Sequence, residues 1–234
     1  MKIFQKGFNY SQDGPGNRLV YHLQGCNFRC LWCSNPEGLG VSCKKTVTMT
    51  VDEIKDEITR SKMMFFDGGG VTFTGGEATM QFDELKNLLI KLKALNINTC
   101  IETNASHKRL KELFPYLDHL IMDIKHYDSN EHQKWTGNDG NITIENFKYI
   151  CKEKIPALIR IPLINNVNTN PKEFCDFLSS CKPNCQKFEV LKYHEYGKEK
   201  WETEYKMTDG FVSDNQYNEF INELKSNGFT VIRT

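Results

Sequence analysis

The 234-residue sequence predicts an α/β fold, a partial (β/α)6 barrel of the TIM type. Apolar strand-like runs alternate with amphipathic helical stretches along most of the chain, the pattern of parallel strands joined by helices. Six such strands are too few to close an eight-unit barrel. Polar and glycine-rich motifs follow the predicted strands, and in such folds ligands sit at the carboxyl ends of the strands.

The first 15 residues read as an extended lid or edge hairpin. Strands are predicted over 19–23, 71–74, 99–102, 120–124, 157–163 and 188–191, and a last short strand over 229–232. The first helix, 51–59, starts at Thr50-x-x-Glu53, a capping box. The next, 82–95, carries Phe82, Leu85, Leu88, Leu89 and Leu92 at helical spacing. Further helices are predicted over 108–117, 144–153, 171–178 and 215–226. The length suits one domain, with 1–18 as an N-terminal segment, 19–200 as the barrel and 201–234 as a closing helix and strand.

Thirty basic residues balance thirty acidic ones, which argues against a nucleic-acid surface as the main partner. The N-terminus has no signal-peptide core and no apolar run approaches the ~20 residues of a membrane span, so a cytoplasmic protein without a membrane partner is expected. Nine cysteines, an odd number, in a chain without a signal favour reduced thiols over a disulfide scaffold.

Cys26, Cys30 and Cys33 lie within Gly25-Cys-Asn-Phe-Arg-Cys-Leu-Trp-Cys-Ser-Asn35, directly after the first barrel strand. Three thiolates on one loop can hold three irons of a [4Fe–4S] cluster and leave the fourth open. Structural zinc is a weaker reading, because no second ligand pair follows at zinc spacing; a disulfide is weaker still. Cys175, Cys181 and Cys185 match no cluster spacing and read as ordinary thiols. Gly75, Gly76 and Glu77 end the second strand, where two glycines let a ligand approach the backbone beside a carboxylate. Glu102-Thr103-Asn104 and Asp123-x-Lys125 end the third and fourth strands, Arg160 lies in the fifth and His194 follows the sixth. Trp135, Trp201 and the loop 165–170 are candidates for a docking face, against the ordinary reading of surface aromatics and asparagine-rich loops.

Cys-x3-Cys-x-aromatic-Cys, with Trp32 in the aromatic slot, resembles the signature loop of the radical S-adenosylmethionine (radical SAM) superfamily. Asp13-Gly-Pro-Gly16, the cysteine loop, Gly68 to Glu77, Glu102-Thr-Asn104, Met122-Asp-Ile-Lys125, Ile159-Arg160 and Tyr193-His-Glu-Tyr-Gly-Lys198 together resemble the glycyl-radical enzyme activating enzymes. Only Cys43 stands between the cysteine loop and Gly-Gly-Glu, matching the compact type without a ferredoxin-like insert. The resemblance implies one [4Fe–4S] cluster on Cys26, Cys30 and Cys33, whose open iron chelates S-adenosylmethionine (SAM). It implies SAM contacts at Gly75, Gly76, Glu77, Asp123, Lys125 and His194, with Arg160 in the same site. Glu102 and Thr103 would join Asp123 around a monovalent cation, Glu102 replacing an aspartate of the family pattern. Asp13 would help hold the incoming glycine loop. The implied reaction is reductive cleavage of SAM and removal of a hydrogen from a glycine Cα of a partner, pyruvate formate-lyase or a related lyase or decarboxylase. Flavodoxin or ferredoxin would supply the electron to a monomeric activase in an oxygen-poor cell. The alternative is a radical SAM enzyme acting on a small molecule or peptide, such as a 7-carboxy-7-deazaguanine synthase-like mutase; it would share the cluster loop but not the first and last of these motifs.

Overall fold

A computed structural model describes residues 1–233, in two compact units. The first holds residues 1–27, 35–103 and 107–121; the second holds 28–34, 104–106 and the chain from Met122 onward.

In the first unit β1 (Lys2–Tyr10) and β2 (Asn17–Leu23) form an antiparallel hairpin, the expected N-terminal edge element, and β3 (Val47–Thr48) pairs with the start of β1. β2 then pairs in parallel with β4 (Gly70–Gly75), and β4 with β5 (Thr99–Thr103). Six of the seven β2 residues are buried, as a strand covered on both faces requires. α1 (Val51–Arg60) begins at the predicted capping box, and α2 (Phe82–Ala94) buries the five predicted apolar residues. The Asp-Gly-Pro-Gly turn enters β2 above Arg18, which is fully buried. Its guanidinium donates to Thr72 Oγ1 at 2.7 Å, the Val71 carbonyl at 2.8 Å and the Pro15 carbonyl at 3.1 Å. A buried charge persists because its donors are satisfied in this way.

Two sequence expectations fail here or change form. The helix expected over 108–117 is instead two short 3₁₀ turns, Leu110–Glu112 and Phe114–Tyr116. Pro115 has no N–H to donate and its ring opposes a continuous α-helix through that point. The last strand is reduced to one parallel bridge from Phe188 to Val231.

The chain passes to the second unit within β6 (His119–Asp123). There β7 (Ala157–Leu163) and β8 (Gln186–Lys192) pair in parallel over seven residues. α4 (Asn141–Lys152), α5 (Pro171–Cys181) and α6 (Asp214–Ser226) bury Phe147, Phe174 and Phe220. The Phe174 and Phe220 rings meet edge-on at 5.5 Å. α3 (Ser129–Thr136) has no counterpart among the expected helices: it buries only His132 and Thr136, so it has no apolar stripe to read. Its punctuation is nonetheless in the sequence, with Asp128 capping the start and left-handed Gly137 ending it.

Candidate active site

The first unit builds the Gly-Gly-Glu turn from backbone contacts only glycine permits. Gly76 N–H donates to the Leu23 carbonyl at 3.0 Å, Glu77 N–H to that of Gly25 at 2.8 Å, and Gly25 N–H to that of Gly38 at 2.9 Å. A Cβ on Gly76 would stand 2.4 Å from the carbonyl oxygens of both Gly25 and Gly38. The turn therefore brings the carboxyl end of β4 against the residue before Cys26.

Glu77 is 2% exposed. Its Oε1 accepts from the Thr79 N–H at 2.9 Å and from the hydroxyls of Thr79 and Thr103, both at 2.6 Å. These donors fix the carboxylate before any ligand arrives. Thr79 is a partner of Glu77 that sequence reasoning missed; its signal in the sequence is its place two residues after Glu77. Thr103, expected beside a cation, spends its hydroxyl hydrogen on Glu77, and Glu102 accepts from Thr74 Oγ1 at 3.1 Å.

Asp13 lies elsewhere in this unit. The hairpin turn delivers it to the amino ends of β2 and β4, where its carbonyl accepts from Thr72 Oγ1 at 2.6 Å and its carboxylate from Asn9 Nδ2 at 2.5 Å. Gly75 and Glu77 stand at the carboxyl ends, three and five residues beyond Thr72, roughly 10–16 Å of strand rise away. Among the residues of this unit the structure thus groups Gly75, Gly76, Glu77, Glu102 and Thr103 and leaves Asp13 apart.

The second unit holds most of the cysteine loop. Arg29 N–H donates to the Thr136 carbonyl and Leu31 N–H to that of Trp135, so the C-terminal end of α3 grips the loop. Cys33 N–H closes a turn onto the Cys30 carbonyl at 3.1 Å, and the Trp201 indole donates to the Cys33 carbonyl, also at 3.1 Å. Trp135 and Trp201, candidates for a docking face, are thus engaged with the loop. Cys30 and Trp32 are buried, while Cys26 and Cys33 are half-buried.

Asp123 and Lys125 are ion-paired at 2.6 Å. Arg160 stands opposite Glu189 in the β7–β8 register and donates to it at 2.8 Å, both side chains nearly buried. Glu189 is another partner missed in the sequence, where it looks like any strand glutamate. His194 stacks on Tyr196 at 4.2 Å, and Tyr196 N–H donates to its Nδ1. Burial holds the ring below the ordinary histidine range, favouring the neutral form at neutral pH.

No disulfide is present among the described residues. Burial pushes the Cys151 thiol up to about 12 and Cys175 up to about 11, so both stay protonated and are poor metal ligands.

This order of motifs, on parallel strands with the cysteine loop after the first, defines a radical SAM enzyme, and residues 20–178 match the radical SAM superfamily. A radical SAM methyltransferase from Sphaerobacter thermophilus shares the fold at TM-score 0.68 and 13% identity, covering 96% of this chain and 67% of its own. The pyruvate formate-lyase-activating enzyme of Staphylococcus epidermidis is 35% identical over 201 residues, 81% of this chain and 79% of that protein. A crystallised domain of pyruvate-formate lyase-activating enzyme from Bacteroides vulgatus is 27% identical at TM-score 0.59, covering 70% of this chain and 98% of that domain. The chain belongs to the pyruvate formate-lyase-activating enzyme family, within the radical SAM superfamily.

Membership implies a [4Fe–4S] cluster and SAM, and the residues fit both. Positions 25–35 offer thiols and no His, Asp or Glu, a soft donor set suited to iron–sulfur ligation. The Gly75–Gly76 backbone and the fixed Glu77 carboxylate offer acceptors for an ammonium group.

Proposed function

We propose that this protein activates a glycyl-radical enzyme, removing a hydrogen from a glycine Cα of pyruvate formate-lyase or a close relative. Similarity over four fifths of the chain to enzymes named for that activity carries this reading. When bound, the cluster and SAM supply one-electron cleavage of the sulfonium and a 5'-deoxyadenosyl radical. Cys26, Cys30 and Cys33 hold the cluster, with Trp32 packed within their loop. Gly75, Gly76 and Glu77 take the SAM amino group, while Asp123, Lys125 and neutral His194 orient the remainder and Arg160 lines the same site. Glu102, Thr103 and Asp123 are assigned to a monovalent cation. Asp13, at the amino ends of the strands, enters as a contact for the incoming polypeptide rather than for SAM. The protein's task is to fix these groups and keep water from the radical. The electron comes from a flavodoxin or ferredoxin, and the chain acts as a monomer in an oxygen-poor cytoplasm.

The test is anaerobic reconstitution followed by incubation with SAM, reductant and a partner deuterated at the target glycine. About four irons per chain are expected, with deuterium in 5'-deoxyadenosine and a glycyl signal in electron paramagnetic resonance. Glu77→Ala should retain the cluster and lose roughly ten- to a hundredfold in SAM affinity, the worth of a charge-assisted hydrogen bond. Near eight irons would overturn the single cluster. Labelled 5'-deoxyadenosine arising only from a small metabolite would overturn the activase reading.

A further inference from the structure

The segment after β8 closes on the cysteine loop. Besides the Trp201 indole on the Cys33 carbonyl, Lys200 Nζ reaches the Ser34 carbonyl at 3.3 Å. Gly197 packs so tightly that a Cβ there would lie 2.5 Å from Ser34 Cα. The segment is itself anchored: the Trp201 ring meets Tyr205 edge-on at 5.6 Å, and the Tyr205 hydroxyl bonds to that of Tyr193 at 2.8 Å. Tyr193 donates to Glu195 at 3.1 Å, and Glu195 pairs with Lys198 at 2.8 Å. The end of α3 thus holds positions 29 and 31, and this segment holds 33 and 34.

We propose that residues 197–205 form a clasp that orders the cysteine loop before iron arrives, with Trp201 as the positioning residue for Cys33. The indole N–H fixes the peptide plane between Cys33 and Ser34 and so the direction in which the Cys33 thiol leaves the backbone. A loop already ordered loses less conformational freedom when metal binds, which strengthens retention of the group. The link to a cluster rests on the function proposed above; the ordering of the loop does not.

Trp201→Phe keeps a ring against Tyr205 and removes only the N–H donor. In the metal-free protein, hydrogen–deuterium exchange over residues 28–36 should rise about fivefold, the factor carried by a net hydrogen bond of about 1 kcal/mol, with β2 and α5 unchanged. From the reconstituted protein, chelator-driven loss of the cluster, followed by its visible absorbance, should accelerate by a similar factor. Tyr205→Phe, which loosens the anchor but spares the indole bond, should give a smaller rise at the same residues. Unchanged exchange at 28–36 in Trp201→Phe would overturn the clasp, and so would a rise spread evenly over the chain. A wild type that takes up no cluster would overturn the cluster reading, while the exchange measurement would still decide the clasp.

Discussion

At the scale of single residues, the buried Arg160–Glu189 pair has a structural duty, to which the proposed function adds a chemical one for Arg160. Side-chain exposures of 7% and 4% keep both charges largely out of water and make each the other's counterion. Removing one partner takes the counterion from a buried charge, so Glu189→Leu should destabilise the fold by up to about 3–5 kcal/mol, whereas the double variant Arg160→Met/Glu189→Leu should recover most of that loss. Urea denaturation measures both. If Arg160 also serves the reaction, the refolded double variant stays inactive; a double variant that is stable and fully active would confine Arg160 to structure. Such partners were not legible in the sequence. Cys26, Cys30 and Cys33 announce themselves by spacing, but Glu189 lies 29 positions from Arg160, and nothing local marks it as a counterion.

At the scale of elements, the turn after β4 depends on backbone packing that any side chain would break. Gly76→Ala places a methyl group against two carbonyl oxygens that cannot swing aside. It should cost about 2 kcal/mol, within the range for overpacking, and should weaken the SAM binding proposed at Glu77. Gly7→Ala, on β1 with nothing within 4 Å of the added Cβ, should stay within about 0.5 kcal/mol of wild type. Denaturant midpoints of the two variants make the comparison. The sequence showed the parallel strands well, with 157–163 matching β7 at both ends, because buried strands are apolar runs bounded by polar turns. It concealed α3, whose buried positions are a histidine and a threonine, and misled over 108–117, where apolar spacing suggested a helix that Pro115 interrupts.

At the scale of the whole molecule, buried neutral histidines tie stability to pH. Burial lowers His126 and His132 below the ordinary histidine range, although each keeps a hydrogen bond to a backbone carbonyl, of Val167 and Asn138 respectively. His132 Nε2 is buried without a hydrogen-bond partner. Above the ordinary histidine value near 6.5 folded and unfolded chains are both neutral at these rings, and their contribution is complete. As the pH falls through that value the unfolded chain takes up protons that the folded chain refuses. Stability then declines until the lowered folded values are reached, by up to about 1.4 kcal/mol per pH unit for each ring. Denaturant midpoints between pH 7.5 and 5 should show that decline, and His126→Gln should flatten it.

The contact between Trp201 and Cys33 spans 168 positions, and that separation has a consequence during synthesis. At ~5–20 residues per second the ribosome needs roughly 10–30 s to make the intervening chain. The hairpin of β1 and β2 closes within the first 23 residues, so the three thiols emerge early beside a finished element and then wait for the segment that fastens their loop. Iron delivered early in that interval would meet a loop held by neither α3 nor Trp201, and late in it a loop held by α3 alone. Under the clasp proposed above, a fully ordered loop is on offer to iron only once the polypeptide is nearly complete.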